Sequence, residues 1–240
     1  MADEQRVPRL AVLIDADNAQ VSVIHELLAE VSRYGTASVK RAYGDWTTTN
    51  LKGWKEVLHK LAIQPMQQFS YTTGKNSTDS SLIIDAMDLL HSGTLNGFCL
   101  ASSDSDFTRL ATRIRETGRV VYGFGERKTP LPFVAACDKF IYTEILKPQQ
   151  AAAIQDEQAP EPLEPMIRAA VTATARDNGW APLSAVGSML LKNSPSFDPR
   201  NYGCHRLGEL ARKQTYLEVK EIPVGDGSST AHPYIRLKAA

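Results

Sequence analysis

With 240 residues, 42% of them hydrophobic, the chain can bury one large core or a medium and a small one, and it reads as a soluble globular protein. Its 27 basic and 27 acidic side chains cancel, no run approaches the ~18 apolar residues of a membrane span, and the charged start MADEQRVPRL lacks the apolar stretch of a signal peptide. A cytoplasmic protein with no membrane partner is expected, and Cys99, Cys137 and Cys204, odd in number and without CxxC spacing, read as core residues rather than a disulfide framework or a zinc site.

The first part of the chain alternates short β-rich apolar runs with helical patterns. It predicts a strand at 10–15, a helix over about 20–34, a strand at 37–43, a helix over about 48–61 and a strand at 63–69. A helix over about 78–91, a strand from 97 (GFCLAS), a helix over about 105–117, a strand from 119 (RVVYGF) and a short strand from 139 (KFIYTE) follow. Such alternation argues a parallel sheet of five or six strands with helices on both faces. After Leu146 the composition turns rich in Pro, Ala and Gln, and Asp156, Glu157, Glu161 and Glu164 make 151–165 acidic with no base. This segment offers little apolar surface to offset ordering entropy and reads as a linker. The domains are therefore set at 1–147 and 162–240, with the linker at 148–161. Beyond it come three helical patterns and two alternating strands, YLEVKEI and HPYIRLK, around the turn PVGDGSST. That is the order of a winged helix. Residues 166–240 hold four Lys and six Arg against three Asp and three Glu, a net of +4, which keeps nucleic acid among the partners.

Two acidic stretches carry the chemistry. AVLIDADNAQ runs an apolar strand into Asp15 and Asp17, and FCLASSDSDF repeats the arrangement with Asp104 and Asp106. Ligands of a parallel α/β sheet collect beyond the carboxyl ends of its strands, so two such ends suggest one site. Asp79 opens the helix that leads into the strand from 97 and joins the site only if that helix is tilted or preceded by an excursion. Asp85, six residues on, is about 240° around a regular helix from Asp79 and is assigned a supporting or structural place. Carboxylates converging without Cys or His make a hard oxygen site suited to Mg²⁺ or Mn²⁺, and metal-dependent phosphodiester hydrolysis is the natural chemistry. Simpler roles stay open: Asp104 or Ser103 fits the N-cap of the next helix, Asp106 its first turn, and Asn18 either caps a helix or orients Asp15. The five histidines show no ligand spacing, and YGFGER at 122–127 is not a GxGxxG loop. DADNA matches the aspartyl-phosphatase signature DxDxT only in its first three residues.

The stretches LIDADN (13–18), NSTDSSLIIDAMDLL (76–90) and ASSDSDFTRLATRIRETGRVVYGFG (101–125) resemble the NYN domain, a PIN-like, LabA-like branch of ribonucleases with a Rossmann-like parallel-sheet sandwich. The resemblance spans 8–146 and implies a metal-dependent ribonuclease. It carries Asp15, Asp79, Asp104 and Asp106 over as catalytic and metal-binding residues, with Asn18, Asp17, Ser102 and Lys75 beside them as substrate-binding or orienting groups. The tail, from about 162 to 238, is similar to the OST-HTH or LOTUS winged-helix domain through WAPLSAVGSMLLKNSPSFDPRNYGCHRLGELARKQTYLEV. That likeness implies RNA, including structured or G-rich RNA, or a protein as partner, and Lys192, Arg200, Arg206, Arg212 and Lys213 are the expected phosphate contacts. Trp180, Phe197 and Tyr202 read as core aromatics. The leading reading is an RNA-processing enzyme. The alternatives are a non-catalytic RNA-binding or regulatory adaptor and, more distantly, a phosphatase of small phosphoesters.

Overall fold

Strand β1 (Arg9–Asp15) is buried from Leu10 onward because helices cover both faces of the sheet it lies in, the condition under which a strand can be apolar at every position. The computed structural model of the protein describes residues 7–69, 77–147, 162–223 and 231–238. Two compact units make up the chain, Met1–Ala152 and Ala153–Ala240. The linker read at 148–161, Lys75 and most of the turn PVGDGSST lie outside the described residues.

In the first unit β1 is followed by α1 (Ile24–Val31), β2 (Thr36–Gly44), α2 (Trp54–Lys60), β3 (Gln64–Gln67), α3 (Ser77–His91), β4 (Gly97–Ala101), α4 (Thr108–Glu116), β5 (Val120–Gly125), α5 (Leu131–Ala136) and β6 (Lys139–Tyr142). All six strands are parallel, in the order β3-β2-β1-β4-β5-β6. Alternation along β1 divides the core. Ala11 and Leu13 pack with Leu82, Ala86, Leu110, Ile114 and Phe133 of α3, α4 and α5, whereas Leu10, Val12 and Ile14 pack with Ile24, Leu27, Trp54 and Leu58 of α1 and α2. Among the described residues no helix is long and apolar enough to cross a membrane.

Helix α5 was not expected, since its six residues LPFVAA read as a short buried run with no helical period to detect. Helix α2 is shorter than the expected 48–61. Asp45 Oδ1 accepts from Thr47 N, Thr47 Oγ1 and Gln67 Nε2, which holds the residues before α2 in a turn. All three cysteines are free and buried.

The second unit contains α6 (Leu163–Thr174), β7 (Ala181–Pro182), α7 (Leu183–Asn193), a 3₁₀ turn Pro199–Tyr202, α8 (Leu207–Lys213), β8 (Leu217–Pro223) and β9 (Ala231–Leu237). Its antiparallel sheet runs β7-β9-β8, the two-residue β7 being a strand the sequence pattern did not reveal. Ile167, Val171, Val186, Leu190, Phe197, Leu210 and Ile235 form the core. Tyr202 packs against Phe197 with ring centroids 6.1 Å apart, and Gly203 takes φ +68°, a conformation that favours glycine, to end the 3₁₀ turn. Trp180 is only half-buried, under the guanidinium of Arg236 at 4.7 Å.

The glycines of YGFG serve packing. A Cβ on Gly123 would lie 2.3 Å from the Phe140 ring and 2.7 Å from Cys137 Sγ, and one on Gly125 would lie 2.6 Å from the Ser102 carbonyl oxygen. Gly123→Ala is expected to destabilise the unit by about 1–3 kcal/mol through overpacking. Gly53→Ala, whose Cβ would meet only Val21 Cγ1 at 3.7 Å, is expected to be near neutral. Urea unfolding checks both, and an unchanged midpoint for Gly123→Ala would contradict the packing account.

Candidate metal centre

Strands β1 and β4 are neighbours where the strand order reverses, with β2 and β3 to one side and β5 and β6 to the other. Loops leaving the carboxyl ends there diverge and open a crevice. The register pairs Ile14 with Ala101, so the next residues, Asp15 and Ser102, emerge side by side. Ser102 Oγ donates to Asp15 Oδ2 at 2.7 Å, and Asn18 Nδ2 donates to the same oxygen at 2.8 Å. The other oxygen, Asp15 Oδ1, is buried without a hydrogen-bond partner. Burial pushes the Asp15 carboxyl above its ordinary range, while the two hydrogen bonds pull the other way.

Ser102 also fixes the next acid. Its Oγ accepts from Asp104 N at 3.1 Å, and Asp104 Oδ1 accepts from Asp106 N at 2.9 Å, capping the 3₁₀ turn Ser105–Phe107 that leads into α4. Capping occupies Oδ1 only, so it does not compete with ligation through Oδ2. Asp79 reaches the same edge, beside Asp104 and Asp106. Helix α3 follows β3, every strand of this sheet ends at the same edge, and the first turn of α3 therefore starts there. Oxygens of Asp79, Asp104 and Asp106 lie within 4.8 Å of one another. The Asp79 carboxyl is pushed up to about 6, first by burial and then by the negative charges of Asp15, Asp104, Asp106 and Asp17. Asp17 accepts from Thr78 Oγ1 at 3.1 Å. Asp85 is turned to the sheet instead, where it accepts from Arg41 and from the Tyr43 hydroxyl and anchors α3 to β2.

An all-oxygen donor set fits a hard divalent cation. Three carboxylates within reach of one point and a raised Asp79 are what such an ion would relieve; Asp15 lies outside that group of three. The sequence reading missed Arg109, an exposed residue one helical turn after Asp106 that makes no ion pair among the described residues. The i, i+3 spacing in SDSDFTR was the available signal.

In the second unit the five expected bases differ. Arg200 is bound through Nε and an Nη to both carboxylate oxygens of Asp198, which is itself buried. Arg212 pairs with Glu221 at 2.5 Å and Lys213 with Glu209 at 3.0 Å. Lys192 and Arg206 are exposed and make no ion pair among the described residues.

The family model of the NYN domain matches residues 9–146, and that of the OST-HTH/LOTUS domain matches residues 158–228. A search of curated proteins finds no match. Among solved structures, a protein of unknown function from Vibrio parahaemolyticus is 17% identical over 58% of this chain and 94% of its own, with a TM-score of 0.49. A fragment (175–257) of a Chromobacterium violaceum protein is 50% identical over 33% of this chain and 84% of its own, TM-score 0.27. An uncharacterised Nitrosomonas europaea protein is 31% identical over 39% of this chain and 89% of its own, TM-score 0.31.

The raised Asp79 has a stability consequence. A carboxyl near 4 in the unfolded chain and about 6 in the folded one holds its proton longer when folded, so stability is full below about pH 4 and falls as pH rises through 6. Metal-free Asp79→Asn is therefore expected to melt several degrees above the metal-free parent chain at pH 7.5, a gain on the order of 2 kcal/mol, with the difference vanishing near pH 4. Millimolar Mn²⁺ should raise the melting point of the parent and not of the variant. Thermal melts at both pH values check it, and a variant that melts lower at pH 7.5 would contradict the repulsion.

Proposed function

The chain belongs to the NYN domain family and carries an OST-HTH/LOTUS domain after it, and on that premise we propose that it is a metal-dependent ribonuclease that hydrolyses RNA phosphodiester bonds. The convergence of Asp79, Asp104 and Asp106 at the strand-order reversal, with Asp15 behind them, is the observation that supports this reading most. Asp79, Asp104 and Asp106 would hold Mg²⁺ or Mn²⁺. When bound, such an ion lowers the pKa of a coordinated water and neutralises charge on the phosphodiester.

The chain's own residues have distinct parts. Ser102 and Asn18 hold Asp15 by Oδ2 in one orientation, which leaves Oδ1 as the acceptor for a group entering the crevice. Ser102 meanwhile positions the backbone of Asp104, so one hydroxyl sets the separation of two acids. Asp17, tied to Thr78, adds negative charge that favours a cation without belonging to the closest group. The second domain supplies the RNA-binding surface, its partner being RNA, structured or G-rich in the fullest form of the reading. Of the five expected bases, Lys192 and Arg206 make no ion pair among the described residues.

Incubation of the purified chain with RNA in Mg²⁺, Mn²⁺ or EDTA tests the proposal. Cleavage is expected with either ion and none in EDTA, Asp79→Asn and Asp104→Asn should abolish it, and Ser102→Ala should slow it about 10–100-fold with the fold intact. Wild-type rates in all three variants would sink the site, and RNA binding without turnover in either ion would make the chain an adaptor.

The tail has its own test. Lys192→Glu with Arg206→Glu is expected to weaken RNA binding and to flatten its log–log salt dependence by about 0.7 per lost phosphate contact, as for single strands. Titrations at several salt concentrations read the slope. An unchanged slope and affinity would assign that face to a protein partner.

A further inference from the structure

A groove of about 600 Å³ runs between α3 and α4 and opens at the acidic edge, because Asp106 lines it as well as belonging to the carboxylate group. Ile83 and Met87 of α3, both half-buried, give it an apolar side, while Arg109, Thr112, Arg113 and Glu116 of α4 give it a polar, charged one. Arg109 and Arg113 are four residues apart and so lie on one helix face, about 6 Å apart along its axis. Arg113 is paired with Glu116 at 3.0 Å and Arg115 with Asp138 at 3.0 Å, whereas Arg109 makes no ion pair or hydrogen bond among the described residues.

An unpaired guanidinium beside several carboxylates is suited to a ligand that must approach that edge although it is an anion. A planar guanidinium matches the oxygens of a phosphate better than an ammonium does. The apolar side can take the face of a base, but only a base that is not stacked inside a duplex. We propose that the α3–α4 groove binds the nucleotide adjoining the cleaved bond and that Arg109 takes its phosphate. This rests on the ribonuclease reading and adds to it the residue that receives the phosphate and the direction in which the RNA leaves the carboxylates.

The test uses the full chain and a single-stranded oligoribonucleotide carrying one 4-thiouridine. With the single strand in Mg²⁺, Arg109→Ala is expected to raise KM about tenfold with kcat nearly unchanged, Arg109→Glu more, and Arg109→Lys less. Photo-crosslinking in EDTA, which needs no turnover, should join the single strand to α3 or α4 in the parent and much less in Arg109→Glu. An unchanged KM in Arg109→Glu or crosslinks confined to other elements would each overturn the groove assignment. Failure of the parent to cleave any RNA would instead sink the ribonuclease reading and leave crosslinking to decide: attachment at α3 or α4 that depends on Arg109 upholds the groove, and its absence overturns it.

Discussion

Mutual repulsion among carboxylates at one edge of a sheet is the constraint that the rest of the first unit accommodates. Asp15, Asp17, Asp104 and Asp106 all act on Asp79 and, with its burial, hold it near pH 6. Such a group keeps its shape only if each member is tied elsewhere. Asp15 is held by Ser102 and Asn18, Asp17 by Thr78, and Asp104 by Asp106 N. Helix starts contribute as well, since Asp79 lies in the first turn of α3 and Asp106 in the turn that opens α4, where the positive end of the helix dipole offsets negative charge. Further from the edge, Asp85 clamps α3 to β2 through Arg41 and Tyr43, which fixes the helix that carries Asp79.

Strand ends were legible because β1 and β4 are covered on both faces, and uninterrupted apolar runs end abruptly in Asp. Asp79 was harder to place. A sequence pattern shows that a helix precedes β4, but the edge at which it starts depends on the parallel strand before it, β3, which has only four residues and weak apolar character. With β3 in the sheet, its carboxyl end lies at the edge where Asp79 is found. The dual position of Asp104 was equally hidden, since capping and ligation require the same residue type and are separated only by which oxygen each uses. No periodicity could have revealed α5 or β7, which are shorter than the windows in which a period is visible.

Formal charge misjudged the basic residues, because composition counts a guanidinium whether or not it is already spent. Arg200 is gripped bidentately by a buried Asp198, so exchanging it for a phosphate would strand that carboxylate. Arg212 and Lys213 pair with partly exposed acids, and such surface pairs are worth only about 0–1 kcal/mol, so these two can still turn toward a ligand. The same criterion that demotes Arg200 in the tail brings Arg109 forward in the first unit. A base that makes no ion pair among the described residues, set one turn from Asp106, would give an anion a reason to enter a field that otherwise excludes it. In the proposed function, Asp104 and Asp106 as cation ligands and Arg109 as the receiver of the phosphate would lie on one short segment, and that segment's own geometry would set the distance between the two tasks.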